Sequence, residues 1–413
     1  MSDIEVRSIT DDELADYLRC IYTAFFVGKP VNDETIAFWR ERIGDDLSRR
    51  HAAFSAGVLG GTAGAFATEL TVPGGSTIPL AAVTGVTVLP THRRRGLLRK
   101  MMQTQLSDAV ERGEVAAMLI AAEWPIYGRY GYGIAIEAAQ TTLDARHARF
   151  VEREPSGTLE IVEAAALREA APAMFDAHRR TVAGPIGRSD MTWNLKLGLR
   201  VPPGDDPPKG RMSVVHRDRD GRLDGYALYG ASDTWVDNTP RVEVVVDELI
   251  TLNDGAYRDL WHYLASIDWV STVKAHVRPI DEPLRLLLED GRASVQRDRS
   301  DHMWVRILDV RRALEARRYE TPINVVVEVH DTSMGLGGRF ELDGGPDGAS
   351  ATATTRDADI ALEIDALGGA FLGGSPLWWF ARAGKVDERT PGTLDRLGAA
   401  LRTNRAPWCT TNF

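Results

Sequence analysis

Apolar residues fall at helical spacing within residues 11–27, at Leu14, Tyr17, Leu18 and Ile21, the stripe that one face of a helix presents. Residues 62–70 and 78–89 are rich in small and β-branched side chains, with Pro73-Gly74-Gly75 between them. Two such runs around a Pro/Gly turn predict a hairpin. Over 94–112 the pattern returns to helix, with Leu97, Leu98, Met101, Met102, Leu106, Ala109 and Val110 on one stripe and Gly113 as its stop. A short apolar run at 115–121 predicts a strand.

The same order recurs further on. Residues 222–229 and 241–250 predict a long hairpin, 257–267 an amphipathic helix and 273–277 a strand. Where the first copy carries arginines between hairpin and helix, the second has Leu252-Asn253-Asp254-Gly255-Ala256, which points to a degenerate copy without a ligand loop. Beyond it, 324–330 and 358–364 read as strands, 377–382 and 393–401 as helices. Polar stretches at 152–157 and 289–300 look like boundaries, dividing the chain into 1–150, 151–295 and 296–413. Each piece is long enough to own a core, and the mixture is of the α+β class.

Composition narrows the function classes. The 413 residues carry 49 basic and 59 acidic side chains, a net charge of −10, which argues against generic phosphate-backbone binding and hence a nucleic-acid partner. The two cysteines, Cys20 and Cys409, lie at opposite ends, so neither a disulfide framework nor a cysteine zinc motif can be written, and no metal is expected. The N-terminal residues lack the basic and apolar regions of a secretory leader, and no apolar run approaches the length of a membrane span. A cytoplasmic, soluble, multidomain protein is the expectation. No G-x-S-x-G elbow or H-E-x-x-H helix supports a hydrolase.

The most informative stretch is Val86-Thr87-Val88-Leu89-Pro90-Thr91-His92-Arg93-Arg94-Arg95-Gly96-Leu97-Leu98-Arg99, a strand running into a helix start. The first amides of a helix have no intrahelical partner and sit at the positive end of its dipole, which makes an anion site. Arginines there oppose the dipole unless an anion is present, and Gly96 leaves room for one.

These residues resemble the acetyl-CoA loop of the GCN5-related N-acetyltransferase (GNAT) superfamily, Arg/Gln-x-x-Gly-x-Gly/Ala, with Leu98 replacing the usual small residue. With Ala122-Glu123-Trp124-Pro125-Ile126-Tyr127-Gly128-Arg129-Tyr130-Gly131-Tyr132-Gly133, the chain resembles the enhanced intracellular survival (Eis) acetyltransferases: two tandem GNAT-like domains and a C-terminal domain similar to sterol carrier protein. The resemblance covers the whole chain in order and size. It implies an acetyl-CoA-dependent N-acetyltransferase acting on aminoglycoside-type polyamines or lysine side chains, assembled as a homo-hexamer. It places Val86, Thr87 and Val88 on the pantetheine arm, Arg94, Arg95, Gly96, Leu97, Leu98 and Arg99 on the pyrophosphate, and Ala122 and Glu123 beside the cofactor. Ala122 stands where the family tends to have serine. Tyr127 becomes the general acid, and the α-carboxylate of the last residue, Phe413, the general base. The uncharged side chains of 408–413 independently favour a docked tail, since chain ends are ordered only when tied down.

The acceptor pocket departs from the family pattern. Asn412 is neutral, and Ala24-Phe25-Phe26-Val27-Gly28-Lys29 holds no acid. Phe25, Trp39 and Trp124 are candidates for its apolar wall. The alternative reading is a non-catalytic CoA-sensing or lipid-binding module, for which Leu377-Trp378-Trp379-Phe380 offers apolar bulk.

Overall fold

A computed structural model describes residues 4–44, 46–206, 210–232 and 234–413. The first stretch folds as β1 (Ile4–Ser8), α1 (Leu14–Ala24), α2 (Asp33–Ile43), β2 (Arg50–Ser55), β3 (Val58–Thr71), β4 (Thr77–Val88), α3 (Leu97–Glu111), β5 (Ala116–Leu119), α4 (Trp124–Tyr127) and β6 (Gly133–Asp144). The second comprises β7 (Gly157–Val162), α5 (Ala164–Arg179), α6 (Asp190–Lys196), β8 (Met212–Asp218), β9 (Leu223–Ala231), the short pair β10 (Trp235–Val236) and β11 (Thr239–Pro240), β12 (Val242–Thr251), α7 (Asp254–Ser266), β13 (Val270–Pro279) and β14 (Ser294–Ile307). The predicted hairpins, helices and strands of both copies are present, with their ends moved by a few residues.

Twelve strands form one sheet in the order β1-β2-β3-β4-β5-β14-β6-β13-β12-β9-β8-β7. Only β4/β5 and β12/β13 run parallel. The two halves are therefore copies: four antiparallel strands, a parallel fifth, then an antiparallel sixth. The sixth strands are exchanged. β6, which follows β5 in the chain, pairs with β13, whereas β14, which follows β13, pairs with β5. β6 and β14 also pair with each other at the centre. The repeats thus share one uninterrupted backbone ladder.

This exchange corrects the reading of 289–300 as a boundary. The segment runs into β14, whose first half is exposed and charged and whose second half, from Met303 to Ile307, is buried. An exposed half-strand carries the same composition as a linker. A division at 295 would cut β14, so we place the start of the third unit after Ile307.

The third unit contains α8 (Val310–Ala316), β15 (Ile323–His330), β16 (Gly338–Gly345), β17 (Gly348–Ala353), β18 (Ile360–Glu363), α9 (Ile364–Ala370), α10 (Leu377–Arg382), β19 (Val386–Glu388) and α11 (Thr393–Leu401). Its five strands order as β17-β16-β15-β18-β19. The strand expected over 358–364 stops at Glu363, and the apolar run continues as α9, which the sequence pattern did not reveal. Buried α9 lies directly on β6 and β14: a Cβ at Gly133 would fall 1.8 Å from the Asp365 carbonyl oxygen, and one at Gly368 2.3 Å from that of Val305. Backbone meets backbone there, so Gly133→Ala will force the two layers apart. A loss of about 1–3 kcal/mol, the usual cost of overpacking, is expected in denaturant unfolding.

The inter-repeat connection is pinned by His216, whose Nδ1 bonds Asp224 at 2.5 Å and whose Nε2 bonds Asp259 at 3.2 Å. Asp259 also accepts from the Ser156 backbone and hydroxyl, both at 2.6 Å.

Candidate active site

The site begins with a defect in the sheet. Gly85 has φ +62°, and the β3/β4 register skips between Thr62↔Thr87 and Gly64↔Thr84, so β4 bulges there. A glycine tolerates that left-handed conformation, and a bulge bends its strand. On the other edge, β4 pairs with β5 only at Leu80↔Ala116, Ala81↔Ala117 and Ala82↔Met118. Beyond Ala82 the parallel strands part, leaving the β5-side edge of β4 open through Val86, Thr87 and Val88. The Thr87 side chain faces away, its hydroxyl 2.7 Å from that of Thr62 and 3.7 Å from the Cys20 sulfur, so what this stretch offers a ligand is backbone. Gly85, which sequence reasoning passed over, was visible as a lone glycine inside a strand pattern.

The open edge leads into the arginine turn. Arg94 and Gly96 take φ +61° and +90°, which delays α3 to Leu97 instead of the predicted 94. Gly96 is the N-cap, and no side chain caps the helix. A Cβ at Gly96 would meet nothing within 4 Å, so the glycine serves its left-handed conformation and leaves the amide face open. Leu97 is buried and anchors the first turn. Arg93, Arg94, Arg95 and Arg99 are exposed and form no ion pair with a described residue. The second copy differs at this point: the Asn253 side chain accepts from the Ala256 amide at 2.9 Å and caps α7 itself. One repeat starts its helix without a side-chain cap; the other caps its helix through Asn253.

Tyr127 ends α4, which Ala122 and Glu123, both exposed, join to the β5 side. Its ring is buried edge-on against Tyr132, centroids 5.9 Å apart, while its hydroxyl makes no hydrogen bond with a described residue. Burial, reinforced by Tyr130 and Glu123, pushes the phenol up to about 12. Burial also raises Tyr130, opposed by Arg129 and Arg99, so the first turn of α3 lies within electrostatic reach of this motif. Tyr132 is different: its hydroxyl is sealed in the core without a hydrogen-bond partner among the described residues. Phe25 and Trp124 are 51% and 62% exposed, and Trp124 stands edge-on to Trp304 at 5.3 Å. Trp39 is engaged within the fold, its indole N–H donating to the Tyr22 hydroxyl at 3.0 Å and its ring capped by Arg42.

The tail from Trp408 to Thr411 is buried. The Trp408 amide donates to the Ala183 carbonyl at 2.9 Å and its indole to the Val277 carbonyl at 3.1 Å. Arg188 donates to Glu248 through both arms, at 3.0 and 2.5 Å, and to the hydroxyls of Thr410 and Thr411 at 2.8 and 2.9 Å. Thr410 donates to Glu248 at 2.7 Å. Both members of the ion pair are fully buried. Burial alone would push the Glu248 carboxyl up, but Arg188 and Lys196 hold it well below the usual carboxylate range. Past this clamp, the Phe413 ring stands edge-on to Phe66 at 5.5 Å. Phe66 is the cross-strand partner of Ala82, the last β4 residue paired with β5. The chain end therefore lies one strand from the point where the sheet opens. Neither Arg188 nor Glu248 was singled out from sequence.

An acetyltransferase (GNAT) domain model matches residues 5–135, a second acetyltransferase (GNAT) domain model matches 184–317, and a sterol carrier protein domain model matches 310–410. The parted strands and the uncapped helix are thus those of a two-GNAT N-acetyltransferase that carries a sterol carrier protein domain. An uncharacterized N-acetyltransferase of Streptomyces griseus is 41% identical over 419 residues, spanning 99% of this chain and 100% of that one. The N-acetyltransferase Eis of Mycobacterium tuberculosis is 34% identical over 345 residues, 81% of each chain. The crystal structure of Eis1 from Mycobacterium abscessus superposes with a TM-score of 0.86 at 34% identity, covering 100% of both chains. The chain belongs to the Eis family of N-acetyltransferases. Its fold implies acetyl-CoA as the acyl donor and an amine as the acceptor. Among the described residues, no helix is long and apolar enough to cross a membrane, and no group of His, Cys, Asp and Glu side chains is arranged to hold a metal.

Proposed function

We propose that the chain acetylates an amine, on an aminoglycoside-type polyamine or a lysine side chain, by direct attack within the first GNAT repeat. The parting of β4 and β5 beside an uncapped, arginine-rich helix start carries this reading. The residues present suit acetyl-CoA: the amides of Leu97, Leu98 and Arg99 with Arg94 and Arg95 for the pyrophosphate, and the open backbone of Val86–Val88 for the pantetheine arm. Acetyl-CoA supplies the acetyl thioester. The Phe413 carboxylate takes a proton from the attacking nitrogen, the new C–N bond forms as the C–S bond breaks, and Tyr127 gives its proton to the departing sulfur. A positioned acid is suited to that step because a thiol leaves more readily than a thiolate. Amides at Val86–Val88 would steady the oxyanion. Phe25 and Trp124 line the acceptor's approach, and Ala122 and Glu123 border the acyl donor.

The α10 helix argues against a lipid module: Leu377 is core, Phe380 packs on Gly369, and Trp378 and Trp379 face outward. The family resemblance also supports a homo-hexamer, and the net charge of −10 argues against a nucleic-acid partner.

A thiol-release assay with polyamine, aminoglycoside and lysine-peptide acceptors tests the reading. Saturable acetyl-CoA turnover is expected. In Arg94→Glu/Arg95→Glu, the KM for acetyl-CoA should rise about a hundredfold or more, because each of the two charge-assisted contacts is worth about 1.5–3 kcal/mol. An unchanged KM would place the pyrophosphate elsewhere.

A further inference from the structure

A second arginine-lined site lies away from the parted strands. The β3–β4 turn and the segments that follow α5, α8 and α11 border an open cavity of about 530 Å³, whose lining includes Arg180, Arg318, Arg402 and Arg405. None of the four forms an ion pair with a described residue. The lining holds one acid, Glu320, and its carboxylate already accepts from the Asn404 side chain at 3.0 Å. Four exposed arginines thus share one cleft with a single acid, in a chain whose net charge is −10.

The turn is built to let these segments close. Gly74 and Gly75 have φ +97° and +83°. A Cβ on Gly74 would come within 2.5 Å of the Arg318 side chain, and one on Gly75 within 2.4 Å of the Arg180 carbonyl. The Arg318 amide donates to the Pro73 carbonyl at 2.8 Å. On the opposite wall, buried Arg317 donates to the Leu401 carbonyl at 2.6 Å and fixes the backbone from which Arg402 projects.

We propose that this cavity binds a small polyphosphorylated anion at a site separate from the acetyl-CoA loop. Guanidinium forks match phosphate oxygens in pairs, and the volume lies in the range of small-molecule sites, larger than a single phosphate needs. The site also bears on catalysis, a consequence that rests on the reading of Phe413 given above. Ala183, in the cavity wall, accepts the Trp408 amide, and Arg405 lies three residues before Trp408. An occupant bridging the segment after α5 to Arg402 and Arg405 holds together the two stretches that seat the tail.

Calorimetry with inorganic tripolyphosphate, on the full-length Arg94→Glu/Arg95→Glu chain, removes the α3 loop's contribution. One bound anion per chain is expected. Adding Arg318→Glu and Arg402→Glu should weaken it at least tenfold without moving the thermal midpoint, since both side chains are exposed. Carboxypeptidase release of Phe413 should slow when tripolyphosphate is present. No binding heat, or equal binding with and without Arg318→Glu/Arg402→Glu, overturns the site. Tripolyphosphate binding without any acetyl transfer by the wild-type chain would leave this site standing while the catalytic reading falls.

Discussion

Tyr127→Phe will lower kcat by about 10²- to 10⁴-fold, the contribution of a positioned general acid, and leave acetyl-CoA affinity close to wild type. The substitution removes one oxygen from a ring that otherwise keeps its packing against Tyr132. The hydroxyl makes no hydrogen bond with a described residue, so its removal orphans no described partner and the fold should be undisturbed. Burial holds this phenol up at about 12; it stays protonated through neutral and mildly alkaline pH, so the wild-type rate will not fall with rising pH on its account. Stopped-flow and steady-state thiol release measure the loss. The matching change at Tyr132 should act on stability alone, because that hydroxyl is sealed in the core. A Tyr127→Phe enzyme with wild-type kcat removes the residue from the mechanism.

Glu248→Ala will free the tail. It leaves Arg188 buried without its carboxylate and Thr410 without its acceptor, and one-sided loss of a buried ion pair costs about 3–5 kcal/mol. Denaturant unfolding reads that loss. Two further results separate the clamp from general destabilisation: Phe413 becomes accessible to carboxypeptidase in the folded protein, and kcat falls towards that of a chain lacking only Phe413. The single deletion should keep the clamp and near wild-type stability while losing about 10²-fold or more in kcat, as expected when a general base is removed. The wild-type clamp also has a pH signature. A carboxyl held low in the folded state stabilises above its unfolded value, near 4.3, and that contribution disappears as the pH falls below it. Glu248→Ala should therefore lose part of the wild-type acid sensitivity. A fully stable variant with a protected chain end would show that the tail is held by packing alone.

How far the sequence could be read varied from element to element. The stripe over α3 and the two hairpins were legible because their periodicities involve residues a few positions apart. The start of α3 was misjudged by three residues because Arg94 and Gly96 adopt left-handed backbone that a hydrophobic stripe does not register. The charged half of β14 passed for a linker, since exposure on a strand and exposure in a loop select the same side chains. The arginine turn and the Ile-Tyr-Gly-Arg stretch marked the candidate site from the order of residues, and the missing turn before α7 set apart the second copy, whose helix is capped through Asn253.

Family, the mixed α+β class, the paired repeats and the residues nominated for acetyl transfer were all present in local order along the chain, because motif chemistry and hydrophobic spacing act over a turn or a strand. The exchange of β6 and β14, the bulge that opens the sheet after Ala82 and the seat of the tail were settled by three-dimensional packing. Arg188 and Glu248 are 60 residues apart, and Thr410 is 162 beyond Glu248. At such separations, burial and the need to neutralise buried charge choose the partners, and no spacing rule along the chain records that choice.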